Sequence, residues 1–263
     1  MIRTLRAELL KLHRRRLLAL AALTIAVFSI STAVIALTTA ETARNQPGFG
    51  QGTTIESLST ASGGTEAFTT GAAFAGTFLF VVFVGAIAVE FSRGTVRTML
   101  LRQPGRVRLL AGKLLALLTL AAGGLAIAEA LTWLAARLIA PTQDIPTHAW
   151  TSLAAAGHAL SDYGAVLFWV TGYAVFGLTL AVFIRNVPVA LAVGIAWAGP
   201  FEHLLQDAWQ PASRYFPGLL LEAFVAGGTP DVDATRALLT ISIYATAAMA
   251  LAANNFARHD VIH

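Results

Sequence analysis

The chain has 263 residues, 56% of them hydrophobic and 12% charged, with a formal net charge of +4 and no cysteine. A soluble domain averages about 25% charged residues, which argues against water as the main solvent. The missing cysteines exclude disulfides, thiolate metal sites and thiol catalysis. A basic chain can suit nucleic acid, but here Lys and Arg cluster beside apolar runs, where topology and anionic lipid head groups account for them, so no nucleic-acid partner is expected.

Residues 1–16 place Ile2, Leu5, Leu9 and Leu12 at spacings of three and four, with Arg3, Arg6, Lys11 and Arg14 mostly off that line. That pattern predicts an amphipathic helix lying in the membrane interface. Crossing the hydrocarbon takes about 20 apolar residues, and six segments supply them: 17–40, 67–91, 114–140, 163–184, 187–205 and 234–256. The first is too long for the apolar region of a signal peptide and ends without a small-x-small cleavage site, so it is expected to be a retained span. Residues 41–66, rich in Gly, Thr, Ser and Gln, read as a polar, mobile external loop. Gly199-Pro200 interrupts the fifth span. Beyond it, Pro200, Pro211, Pro217 and Gly227-Gly228 break residues 200–233 into short apolar stretches, expected to be external or re-entrant half-helices. The expected fold is a single all-α membrane domain of six transmembrane helices.

Basic residues orient it. Arg3, Arg6, Lys11, Arg14, Arg15 and Arg16 precede the first span, and Arg93, Arg97, Arg102, Arg106, Arg108 and Lys113 lie between the second and third. Arg185 follows the fourth span and Arg258 the sixth. The other face keeps Arg44, Arg137, Arg214 and Arg236. The positive-inside rule makes the crowded face cytoplasmic. The expectation is a multi-pass protein of the cytoplasmic membrane with both termini in the cytoplasm. No internal repeat is visible, so twofold symmetry would require a second subunit.

Motifs for catalysis are missing. The sequence has no H-E-x-x-H, no Walker-type phosphate loop and no G-x-S-x-G. His13, His148, His158, His203, His259 and His263 are scattered without metal-ligand spacing, so no metal site is expected. Gly71 to Gly76 and Gly123-Gly124 read as small-residue positions for close helix packing.

The informative stretch is Glu90 to Lys113, E-F-S-R-G-T-V-R-T-M-L-L-R-Q-P-G-R-V-R-L-L-A-G-K. An acid ends one span, Gly94-Thr95 opens a short amphipathic helix carrying Arg97, Met99, Leu100, Leu101 and Arg102, and Pro104-Gly105 stops it. A short helix fixed at both ends to membrane spans can pass a push from a soluble partner to the bundle. An ordinary positive-inside loop has the same charge.

Glu90, Gly94-Thr95, Leu101, Pro104, Arg106 and Gly112-Lys113 resemble the E-x-x-x-G-T…L…P…R…G-K signature of type-2 ATP-binding-cassette (ABC) exporter permeases. The similarity extends over nearly the whole chain. Glu8, Leu9, Lys11 and the arginines before the first span are similar to that family's amphipathic connecting helix, and Arg214-Tyr215-Phe216-Pro217 resembles its short external helices. The resemblance implies a six-span permease paired with a second copy or a paralogue, and with two separate cytosolic ABC ATPase subunits. ATP and Mg would then be used by those subunits, with no cofactor on this chain and no enzyme activity of its own. Residues 90–113 would hold the coupling helix.

Ionisable groups inside the spans are expensive and often functional. Glu129 lies well inside the third span, with Trp133 and Arg137 following at steps of four, so it reads either as part of a pathway or as a structural ion pair with Arg137. Glu90 reads as a structural salt bridge. Glu202, Tyr215, Phe216 and Pro217 are candidates for an external gate. Phe80, Phe83, Phe168, Trp169, Phe176, Phe183 and Trp197 suit either lipid-facing packing or a path for a hydrophobic or amphipathic cargo such as a drug, antibiotic, peptide or lipid. The rival readings are a secondary transporter, for which Glu129 alone is thin support, and a sensor or signalling subunit on the same fold.

Overall fold

The computed structural model describes residues 7–10, 15–40, 53–102 and 105–258. The protein is all-α. Its main helices are α1 (Arg15–Thr38), the single turn α2 (Ile55–Leu58), α3 (Gly63–Ser92), α4 (Thr95–Arg102) and α5 (Arg106–Ile139). They continue with α6 (Leu153–Ile184), α7 (Val187–Ala196), α8 (Glu202–Ala208), α9 (Pro217–Val225) and α10 (Ala234–Arg258). Residues 7–10 are also helical, and no strand occurs among the described residues.

Among the described residues, four stretches are long and apolar enough to cross a membrane: Leu18–Thr38, Arg106–Gln143, Leu153–Ile184 and Ala234–Arg258. Helix α3 carries a shorter apolar stretch, Phe78–Ser92, and α7 is another. The exposed residues fit that solvent. Leu20, Leu23, Val27 and Ile30 on α1, and Leu239, Ile243 and Leu251 on α10, lie on the surface. So large an apolar surface is normal against lipid and rare against water.

The chain forms two compact units. The first comprises 1–12, 75–120 and 168–263, and the second 13–74 and 121–167. The hub of the first is the later part of α6, where Trp169, Val170, Ala174, Leu178, Ala181 and Val182 are all buried. Close helix packing demands small residues there. A Cβ on Gly76 of α3 would come within 2.1 Å of the Trp169 ring. The second unit packs Ala33 and Leu37 of α1, Leu58 of α2, Ala136 of α5, and Ile145 and Trp150 of the α5–α6 connection into one core.

Several boundaries differ from the sequence expectation. Helix α5 starts at Arg106 and α6 at Leu153, well before the apolar runs expected at 114 and 163. Apolar length measures the hydrocarbon, whereas a helix continues while its backbone bonds and packing continue. Leu109 and Leu110, in the added turns of α5, are buried. The fifth segment is helical from Val187 to Ala208 but not regularly α. Pro200 lacks an amide donor, and the ladder widens there into a π turn, Trp197–Phe201, between α7 and α8.

Residues 200–233 do break into short helices, α8 and α9, as expected. The loop expected over 41–66 is corrected in its second half: residues 53–66 contain α2 and the start of α3. Thr54 and Ser57 form a reciprocal capping box, and the buried Trp150 indole donates to the Leu58 carbonyl at 2.8 Å. Residues 41–52 lie outside the described part, as do 1–6 and 11–14 of the expected interfacial helix.

Candidate functional site

The 90–113 connection lies entirely in the first unit. Helix α3 ends at Ser92, and Gly94 takes the left-handed conformation, φ 66°. A residue with a Cβ is strained there, and the turn starts α4 at once. The Thr95 hydroxyl donates to the Glu90 carbonyl at 3.1 Å, tying the new helix to the end of the old one.

Helix α4 is eight residues long. Its Val96 points inward at 3% exposure, Met99 and Leu100 are half-buried, and Leu101 is 83% exposed. Of the apolar residues expected to face a partner, Leu101 is the one presented outward. Pro104 lies outside the described residues, as do the side chains of Arg97 and Arg102.

Glu90 and Lys113, far apart in the motif, meet as a buried ion pair. Lys113 also contacts Glu8 at 2.9 Å, and the three side chains are only 7–12% exposed. The salt bridge expected of Glu90 is therefore present, with a lysine from α5 as its partner. Arg106 donates to the Phe256 and Ala257 carbonyls at 3.4 and 3.3 Å, satisfying the C-terminal end of α10. Phe91 meets Phe256 edge-on at 5.7 Å. Arg185, in the left-handed turn between α6 and α7, reaches the Asn255 side chain at 3.2 Å. One end of the first unit is thus held by cations placed on helix ends and buried acids.

In the second unit, Glu129 lines a cavity of about 600 Å³ together with Thr65, Trp133, Trp150 and Ser152. Its Oε1 is buried without a hydrogen-bond partner. Arg137 does not close that gap. Its guanidinium donates to the Thr147 hydroxyl and, at 3.2 Å, to the Thr147 carbonyl. No Glu129–Arg137 ion pair forms among the described residues. Two helical steps of four put Glu129 and Arg137 on one side of α5 but about 12 Å apart along its axis, and the α5–α6 connection offers Arg137 a closer acceptor. Asp162, which the sequence reading passed over, accepts from the Thr65 hydroxyl of α3. Its signal was a lone acid immediately before an apolar run.

Of the expected gate residues, Glu202 and Pro217 line one cavity together. Glu202 is buried at the start of α8, with its Oε2 accepting the Leu219 amide at 3.0 Å. Pro217 is the first residue of α9, a position where its missing donor costs nothing. Tyr215 is exposed and stacks on Trp209 at 5.8 Å, while Phe216 lies 6.0 Å from Trp197. Among the described residues no group of three or more His, Cys, Asp or Glu could hold a metal. No known family model matches this chain, and no curated protein matches it significantly.

Proposed function

We propose that the chain is the membrane-spanning permease subunit of an ATP-driven ABC exporter. It crosses the cytoplasmic membrane six times with both termini in the cytoplasm, and it moves a hydrophobic or amphipathic substrate. A second permease copy or paralogue completes the pathway, and two cytosolic ATPase subunits supply ATP hydrolysis with Mg. The observation that carries this reading is α4, a short helix between two long ones, with an apolar tip at Leu101 and a base clamped by Glu90, Lys113 and Glu8. A soluble motor needs such a handle: an exposed anchor to grip and a stiff root that passes the push on. In an interface a single buried apolar anchor carries a disproportionate share of the binding energy.

The test is Leu101→Asp. The variant should insert and fold as the parent does, because Leu101 packs against little. It should retain its ATPase subunit about tenfold less well or lose substrate-stimulated hydrolysis. Full assembly and full coupled transport in that variant would leave α4 as a topology signal only. A parent protein that works with no ATPase subunit would point to a secondary transporter or a sensor.

A further inference from the structure

A cavity of about 340 Å³ in the first unit has a different chemistry from the α4 connection. It is walled by Phe80 of α3, Tyr173, Phe176 and Phe183 of α6, Trp197 of the π turn and Glu202 of α8. Cavities of this size hold small organic ligands. The wall is aromatic and aliphatic except for Glu202 and for Thr179, whose hydroxyl donates to the Val175 and Ala248 carbonyls. Glu202 is 2% exposed, and the Leu219 amide and the Trp197 side chain both lie against its carboxyl group. Oε2 accepts the Leu219 amide at the N-terminus of α9, pressed so close that a Cβ on Gly218 would lie 2.5 Å away. Oε1 has no hydrogen-bond partner.

Nor does a counter-ion reach it. Nearby Glu222 adds negative charge and is paired with His203 at 3.2 Å, while Arg214 faces Asp231 at 3.8 Å. Among the described residues no basic side chain lies within ion-pair distance of Glu202. The helix N-terminus contributes roughly half a positive charge, which leaves a buried carboxylate incompletely compensated. A cation with N–H donors and an apolar body supplies what is missing, since the rings attract it through their faces and the carboxylate accepts its hydrogen bonds. A neutral ligand gains burial alone, and an anion is repelled.

We infer that this cavity binds an amphipathic organic ammonium, with its N–H groups on Glu202 and its apolar body against Phe176, Phe183 and Trp197. That this ligand is the transported cargo rests on the exporter reading, whereas the binding does not. Full-length protein in nanodiscs is titrated with phenylbutylammonium and with neutral phenylbutanol, and heat or tryptophan fluorescence is recorded. The ammonium should bind saturably and about tenfold or more tighter than the alcohol. Glu202→Gln should abolish that preference. Val193→Trp, which fills the cavity and keeps the acid, should lose both ligands.

Equal binding of the two ligands, no saturable ammonium binding to the folded parent, or an undiminished preference in either variant would overturn the assignment. If Glu202→Gln does not fold, the ligand comparison and Val193→Trp decide. Ammonium preference without any ATPase partner would sink the exporter reading and leave the site standing. ATPase coupling without ammonium preference would do the reverse.

Discussion

Lys113→Met is the sharpest perturbation this structure offers. Lys113 stands between Glu8 and Glu90, with side-chain exposures of 7, 12 and 12%. Methionine keeps the length and apolar stem of lysine and removes only the charge, so a change in packing volume is a minor part of the effect. Two nearly buried carboxylates then lose the ammonium they share. Removing one partner of a buried pair costs about 3–5 kcal/mol, because the remaining charge stays desolvated. For a chain of this size that corresponds to a fall in melting temperature on the order of 10 °C. The assay is thermal unfolding of the purified protein in nanodiscs, followed by tryptophan fluorescence. The triple variant Lys113→Met, Glu8→Gln, Glu90→Gln should recover most of the loss, since apolar or neutral replacement of a whole buried ion cluster is often nearly neutral. A Lys113→Met protein that melts within about 2 °C of the parent, a shift worth under about 1 kcal/mol at this size, would refute the idea that this cluster is held by charge compensation. A triple variant no better than the single one would refute it by another route.

Glu129→Gln and Arg137→Gln should have additive effects on melting temperature, because Arg137 engages Thr147 and not Glu129; a coupling above about 0.5 kcal/mol would show a pair after all. Gly76→Ala should destabilise by about 1–3 kcal/mol, since its Cβ meets the buried Trp169 ring. Gly123→Ala, with nothing within 4 Å, should be neutral or stabilising by up to about 1 kcal/mol, and equal effects at both positions would contradict the packing. Topology is read with single cysteines, which the native chain lacks. Glu56→Cys should react with an impermeant thiol reagent on intact cells and Leu101→Cys only after the membrane is opened; labelling of position 101 from outside would invert the proposed orientation.

Much of the architecture was legible because its signals are one-dimensional. The irregularity at Pro200, the helix start at Pro217 and the turn at Gly94 depend on local chain properties and reappear in the structure, and apolar length reappears in four membrane-length stretches among the described residues where six were expected. The pairing of Glu90 with a basic residue was legible in kind, because a carboxylate at a helix end needs a cation. That Lys113 is one of its partners was not, since that depends on how α5 packs beside α3. The folded segment 53–66 was hidden for a similar reason. Its polar residues cap α2 and bond to Glu66, and Leu58 is buried by residues some ninety positions later. Glu129 and Arg137 show the opposite error, a local rule of helix spacing defeated by a nearby loop carbonyl. Small residues divide likewise: Gly71 meets Thr32 and Gly76 meets Trp169, but Gly123 meets nothing. The sequence pattern is the same for all three.

Among the described residues, the two acids with a buried, unbonded oxygen differ in kind from the buried acids that are bonded. Glu90 and Glu8 share Lys113, and Glu66 takes a hydrogen bond from Ser57 at 2.9 Å. Each of these holds helix ends together, as a structural carboxylate should. Glu129 and Glu202 instead line cavities, each with an oxygen left unbonded and each beside tryptophan. Burial without compensation is a standing cost that a purely structural residue has no reason to bear, because Gln could occupy the same space at a lower desolvation cost. At Glu202 contact with α9 offsets part of that cost by satisfying one oxygen, and it fixes the position of the other. The fold therefore holds this carboxylate still at an aromatic wall, and a rigid, half-satisfied acid is preorganised for a cation in a way that a flexible surface glutamate is not.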